Sequence, residues 1–532
     1  MQWSRFLPNR NPAPLMVALI VSWGLFSIMC GERLPRNAGF GWDGVCYRSI
    51  TLHLWQRNDE VTMYHGMRCL PCVVIHYSLK TLGLPLDGPH IFQAFRLYNL
   101  IWSVVILLTL LSIADELRLG IQGKWLIFIG LCCSYAHLKQ YYYSPILSDL
   151  WGLAFCTLAL RSFFKRQRLA VVGWIFLGSF TWAIVPYFGA LLILFPYRGS
   201  ASHESSLASA EGPGWPARTL AVLVAVLIAA FAAYLVWVER YYGTPPAQIS
   251  HRALPVSVAC LALFLYFAFQ EIPYSGLLPR WRDLASLDLL RRLGLLAGLF
   301  VLLRAGGLLL QPYFSTKQHV TQGSLFFLRT ICAFSVAKPL VFLLAQVVYY
   351  GPAVILLVLL WRPIVREAQR YGVATVLGLT LGLFLALCSE PRYPLVFFPL
   401  FLILLTSALR EQSLGFGRLA AFAGLGLFLS KAWMPLNWAP WPPDEPFHYE
   451  DVFRFPMQAF FMNVGTWMTT STYAIQAVVV VVVTIIIKYR ILPCPPISRG
   501  GIARQSAAAH RRCTPVENAA AVAGPGITVL DG

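Results

Sequence analysis

At 532 residues the chain is 58% hydrophobic and only 12% charged, with a mean hydropathy of +0.63, which excludes a string of soluble domains. A formal charge of +19 is dispersed in short basic runs between apolar segments, with no basic motif or RNA-binding signature, so nucleic acid is not an expected partner. The composition predicts an all-α polytopic membrane protein whose cations set its orientation and suit an anionic ligand such as a lipid phosphate.

Apolar runs of about 17–25 residues recur from Leu15 to Ile487, each long enough to cross a hydrocarbon core of roughly 30 Å as a helix. The first, Pro14 to Cys30, follows Arg5 and Arg10 and is closed by no small-residue cleavage site, so it reads as a retained span. Spans are expected near 14–31, 97–114, 124–138, 150–164, 169–181, 183–197, 219–238, 254–270, 293–311, 339–361, 372–388, 394–409, 418–430 and 472–487. That makes fourteen, with both termini on one side. Of the 42 lysines and arginines, 25 fall on that side, 16 on the other, and Arg304 lies within a span, which predicts cytoplasmic termini. Arg161 to Arg168 and Arg362 to Arg370 are the strongest contributors. The pair 169–181 and 183–197 is critical, because a single kinked helix there would invert everything downstream.

The non-cytoplasmic face then receives loop 32–96, the link around 139–149, segment 312–338, the turn 389–393 and loop 431–471. In the first loop, Met67 to Leu84 interleaves apolar residues with Arg68, His76 and Lys80, as in a helix lying in the interface. Loop 431–471 carries Trp433, Trp438, Trp441, Phe447, Tyr449 and Phe455, rings suited to an interfacial belt. Residues 1–490 form one transmembrane domain on this reading. The Pro, Gly, Ala and Arg composition of 491–532 predicts a disordered cytoplasmic tail. The twelve cysteines lie mostly inside spans as small hydrophobes, and Cys69-Leu-Pro-Cys72 suits helix packing better than redox chemistry.

Three acids stand at outer ends of spans: Asp43 in Gly41-Trp42-Asp43-Gly44-Val45-Cys46-Tyr47-Arg48, Asp149 in Tyr141-Tyr-Tyr-Ser-Pro-Ile-Leu-Ser-Asp149, and Glu390 in Ser389-Glu390-Pro-Arg392-Tyr393-Pro394. A carboxylate at a membrane boundary is costly unless paired or used. Asp43 reads equally as a turn or helix cap and as a catalytic acid, and Asp149 as a helix-cap neighbour or a site residue. Glu390 reads as the partner of Arg392. No HExxH, paired CxxC at zinc spacing, Walker loop, GxSxG or glycine-rich dinucleotide turn occurs at a plausible place. There is also no Asp-x-Asp in the outer loops, so no cofactor is assigned and a divalent metal is compatible with the chain but not indicated.

A long outer loop with an Asp near its start, a Tyr-rich outer link ending in Ser148-Asp149, and Glu390-Pro-Arg-Tyr-Pro opening a late span together resemble the polytopic GT-C glycosyltransferases. Within them, Trp42-Asp43-Gly44-x-x-Tyr47 is similar to the start of the first loop in mannosyltransferases of glycolipid anchor synthesis and in related uncharacterised bacterial membrane proteins. The chain departs from that pattern in lacking a second acid beside Asp43 and in a span count at the upper end of the superfamily. The resemblance implies a GT-C-like helix bundle that transfers one sugar from a polyprenyl- or dolichyl-phosphate carrier to a glycan, lipid or protein acceptor on the outer or lumenal face. Asp43 would be the general base for an inverting attack and Asp149 a supporting acid. Cations for the donor phosphate would come from Arg392, Arg304, Lys338, Lys317, His319 and Lys139, with Trp42, Tyr47, Arg48, Glu390 and Tyr393 supporting the site. Two other functions share a basic outer cavity: a transporter or flippase of lipid-linked sugars, and a polysaccharide polymerase or ligase. The first would show repeats with matching broken helices; the second would carry Arg and His in a large late loop, where 431–471 offers only Arg454 and His448.

Overall fold

A computed structural model describes residues 11–197, 215–240, 249, 251–272, 287–315, 324–444, 448–454 and 457–492. Lys317, His319, Phe447, Phe455 and the expected tail from Pro493 lie outside the described residues. Among the described residues the chain is all-α apart from one short parallel pairing, Asn58–Thr62 with Phe314–Ser315. Among the described residues six helices are long and apolar enough to cross a membrane: Ala13–Cys30, Gly88–Glu116, Arg218–Trp237, His251–Phe269, Leu287–Tyr313 and Thr470–Ile491. Their outward rows, such as Phe26, Met29, Phe300, Leu309, Ile475 and Val478, are exposed. Exposure of such side chains to water would forfeit roughly 1.5–3 kcal/mol each, so these rows face lipid and the chain is a membrane protein.

Each of the fourteen expected spans has a helix; of the shorter ones Val341–Tyr350 and Phe398–Ala408 are packed inside the bundle, whereas Phe416–Ser430 leaves Phe416, Leu427 and Phe428 exposed. The critical pair resolves as a hairpin: Arg168–Ser179 and Val185–Leu194 fold back on each other, and a Cβ on Gly189 would lie 2.4 Å from Ile175 Cγ2. At 12 and 10 residues these helices reach only about 18 and 15 Å, half a hydrocarbon core. Their tip therefore ends within the protein, where irregular backbone is tolerated because it is enclosed. Thr181 and Trp182 are buried there, and the Phe180 carbonyl accepts from Leu70 N at 3.1 Å.

We term the face carrying residues 31–42 outer and its opposite inner. At the inner face Gln122 Nε2 donates to Gln412 O (2.8 Å); at the outer, Tyr473 OH donates to Pro339 O (2.6 Å). Ion pairs respect the same division, with Arg329 to Glu239 outside and Arg362 to Glu271 inside.

Three elements differ from the sequence expectation. Span 339–361 is two helices, Val341–Tyr350 and Pro352–Leu359, broken at Gly351 (φ 77) before a proline that cannot donate into the preceding turn. Segment 312–338 contains a further helix, Ser324–Ser335. The expected helix Met67–Leu84 starts only at Leu70, after a single turn Met63–Gly66. Arg68, assigned by its spacing to a polar face, points inward and is 4% exposed. Buried Arg96 fastens the outer end of the first span by donating to the carbonyls of Ile28 (3.0 Å), Glu32 (2.9 Å) and Tyr142 (2.9 Å), satisfying acceptors the helix end leaves open.

Candidate active site

The first loop turns sharply before Asp43. Asn37 and Ala38 (φ 50 and 54) are left-handed, and Gly41 (φ 68) takes the same region without the strain a Cβ would bring. Asn37 locks the turn by donating its side-chain Nδ2 to Gly41 O at 2.6 Å and its backbone N–H to the Asp444 carboxylate at 3.1 Å. Asp43 is thereby delivered as the first residue of the helix Asp43–Leu52, and it caps nothing. Its carboxylate faces His65 Nε2 and Arg392 Nη2, both at 3.9 Å.

Asp149 opens the helix Asp149–Phe164 and likewise makes no capping bond. It is 2% exposed; Oδ2 stands 3.9 Å from Arg392 Nε, and Oδ1 has no hydrogen bond among the described residues. Glu390 accepts directly from Arg392 Nε at 2.9 Å. Three carboxylates from three distant segments thus surround one guanidinium. Burial disfavours the Arg392 charge, but Glu390, Asp149 and Asp43 outweigh it and hold the group protonated. For Asp43, too, burial disfavours ionisation, and His65, Arg392 and Arg68 outweigh it, so its carboxyl lies well below the usual carboxylate range.

Behind Asp43 sits Arg68, which sequence reasoning missed as a site residue. It donates to Tyr64 OH (2.5 Å) and Tyr47 OH (3.4 Å), and lies over the rings of Tyr64 (4.0 Å) and Trp182 (4.3 Å). The enclosed hairpin tip is what brings Trp182 there. Arg68 lies in the turn between Met63–Gly66 and the helix that starts at Leu70, a break that its spacing does not reveal.

A cavity of about 380 Å³ opens over these groups, lined by Trp42, Asp43, Glu390, Arg392 and Tyr393 together with Thr330, Phe334, Tyr349, Phe461, Asn463 and Trp467. Its roof is aromatic: Trp42 and Phe461 lie 5.6 Å apart, and Phe461 and Trp467 stack at 5.6 Å. The loop 457–467 that supplies the roof is pinned by Gly465, whose N–H donates to Ser389 O at 2.8 Å. Gln140 Oε1, Tyr349 OH and Asn463 Oδ1 are buried without a hydrogen-bond partner among the described residues, so the chamber has polar groups available for a hydroxylated ligand.

Of the residues singled out in the sequence, Asp43, Asp149, Arg392, Glu390, Trp42 and Tyr393 converge, with Tyr47 one layer behind. Others do not. Arg48 turns away, its guanidinium 5.1 Å over Phe40. Lys139 pairs with Glu32 at 2.7 Å. Lys338 lies under the roof loop, its Nζ 3.4 Å from Gly465 O, and burial pushes its amine down to about 8. Arg304, expected as a cation for the donor phosphate, is exposed on its helix, is not among the residues lining the cavity and has no anionic partner among the described residues. Among the described residues no three acid, His or Cys side chains are grouped to hold a metal ion. Cys69 and Cys72 are buried free thiols, and Cys72 Sγ donates to Tyr47 O (3.4 Å), a packing role. No family model matches the chain, and no curated protein or solved structure matches it.

Proposed function

We propose that the chain is an inverting, GT-C-like membrane glycosyltransferase that moves a sugar from a polyprenyl- or dolichyl-phosphate donor to an acceptor hydroxyl at the non-cytoplasmic face. The observation that carries this reading is Asp43: an ionised carboxylate, 34% exposed by its side chain, standing in an aromatic-roofed cavity beside a guanidinium. The acceptor O–H donates to Asp43 and its oxygen attacks the anomeric carbon. The carbon–oxygen bond to the carrier breaks with its electron pair leaving on the phosphate, and the acceptor proton passes to Asp43. A carboxylate of low basicity positions the hydroxyl and accepts its proton late, which suits an oxocarbenium-like transition state in which the leaving group departs ahead of proton transfer.

Arg392 makes its one short bond through Nε, so the rest of its fork is available to the charge growing on the leaving phosphate. The carrier's tail has a place as well. An apolar groove starts at Pro394 and Tyr350, whose OH donates to the cavity-lining Pro391 at 2.7 Å, and runs past Phe398, Phe342 and Leu357 to Trp361. Lipid isoprenoid units would fill it.

Purified protein in lipid, given a panel of polyprenyl-phosphate hexoses and pentoses with hydroxyl acceptors, should release polyprenyl phosphate, and Asp43→Asn should not. Passage of intact donor across vesicles without bond cleavage would replace this reading with the transporter.

A further inference from the structure

A second cavity, of about 310 Å³, lies at the inner face and belongs to none of the chemistry above. It opens between the hairpin Arg168–Ser179 and Val185–Leu194 and the helix Leu287–Leu310. Its walls are apolar, with Val171, Leu192, Ile193 and Leu295, and its mouth carries Arg166, Gln167 and Arg168. Arginines outnumber acids there, although Glu116, at the end of Gly88–Glu116, also acts electrostatically on the lining residue Tyr197. Asp288 is the one carboxylate paired to this mouth among the described residues, and it is shared by Arg168, at 2.5 and 3.3 Å, and Arg292, at 3.2 Å. Arg166 has no carboxylate partner among the described residues; its guanidinium lies 5.8 Å over the Tyr197 ring, which also lines the cavity. The turn holds Arg166 in a left-handed backbone, φ 59, a conformation that disfavours its Cβ. A cationic mouth above a greasy slot between membrane helices matches an amphiphile with an anionic head.

We propose that this cavity binds the phosphate of an anionic phospholipid, with Arg166 as its main ligand and an acyl chain lying along Val171, Leu192 and Leu295. The proposal is independent of the function assigned to the outer cavity. A free phosphate shares the headgroup chemistry but would gain nothing from the apolar walls.

The test uses the full chain in nanodiscs of phosphatidylcholine alone or with phosphatidylglycerol, read by thermal melting, and native mass spectrometry of retained lipid. Phosphatidylglycerol should raise the melting temperature of the wild type and be retained, whereas inorganic phosphate added to phosphatidylcholine discs should do neither. Arg166→Gly removes the guanidinium at a position whose backbone suits glycine, so the fold is kept and retention should weaken about tenfold, the loss expected for one charge-assisted hydrogen bond. Arg166→Gln provides a second variant with the same expectation. Equal retention of both lipids by the wild type, unchanged retention in both variants, or full reproduction of the shift by inorganic phosphate would each overturn the proposal. The comparison of the two lipids needs no variant.

Discussion

Arg392 Nη2 stands 3.9 Å from Asp43 Oδ2, although the two are far apart in sequence, Asp43 opening a helix and Arg392 standing in a short turn beside the same cavity. For Asp43 this means a carboxylate kept in its base form, with shape and charge fixed by neighbours. Asp43→Asn preserves the shape and removes the base. Transfer should fall about 10²–10⁴-fold while the folded fraction and donor binding persist. Near-wild-type turnover would return Asp43 to the role of a loop residue.

The same relationship has a pH consequence. Asp43 titrates below the ordinary carboxylate value of about 4, so in the wild type the base form persists to acid pH and is lost only as pH falls through that lowered value. Arg392→Gln removes one of the cations that hold it down. The acidic limb of the residual activity should therefore move to higher pH, measured as kcat/KM against pH. An unmoved limb would mean that the guanidinium does not act on Asp43.

Glu390 competes for the same guanidinium, and its short bond to Nε sets up a choice between substitutions. Lysine at 392 keeps the charge but cannot serve carboxylate and phosphate together. Arg392→Lys should weaken donor binding about ten- to hundredfold, the worth of a charge-assisted hydrogen bond, and Glu390→Gln should be milder. Equal damage from both, with the lysine variant tolerated, would mark the pair as a local brace and remove Arg392 from donor binding.

The helices were legible because apolar runs and interrupting charges follow directly from the cost of placing polar groups in hydrocarbon, and that cost is local in sequence. Asp43, Asp149 and Arg392 were legible for the same reason: each is a charge left at a span end. Arg68 was not, because a cation among apolar residues at helical spacing has the pattern of an interfacial helix, and only the enclosed hairpin tip with Trp182 turns it inward. Lys139 was misplaced because sequence gives its height but not its direction, and Glu32 claims it. The roof residues Phe461, Asn463 and Trp467 are not singled out by the sequence within loop 431–471; their position over the cavity depends on Gly465 meeting Ser389 across a long separation in sequence.

Orientation rests on the charge asymmetry and can be read separately. In a cysteine-less background, single cysteines at Arg57 and Trp438, both exposed at the outer face, should react with an impermeant thiol reagent on intact cells, and one at Gln167 should not. Labelling at Gln167 alone would place the acidic cavity on the cytoplasmic side and rule out a donor presented from outside.

The outer layer is fastened by Glu32, which accepts from Lys139 Nζ (2.7 Å), Leu436 N (2.9 Å) and Asn437 N (2.8 Å), joining the loop after the first span to the loop after Phe416–Ser430. Burial disfavours its ionised form, but the bonds from Lys139, Leu436 and Asn437 outweigh that and lower its pKa. A carboxylate with a lowered native pKa contributes stability that is fully present above its unfolded value of about 4.3 and is lost as pH falls through the native one. Glu32→Ala should thus cost about 2 kcal/mol at neutral pH, since it strands Lys139 and two backbone donors. Its melting temperature in detergent should vary less with acidification than that of the wild type, so the two curves approach each other below about pH 4. Glu32→Gln, which can still accept from one backbone N–H but carries no charge for Lys139, should fall between them. Parallel curves at all pH values would show that the Glu32 carboxylate contributes packing alone and that its charge does not hold the two loops together.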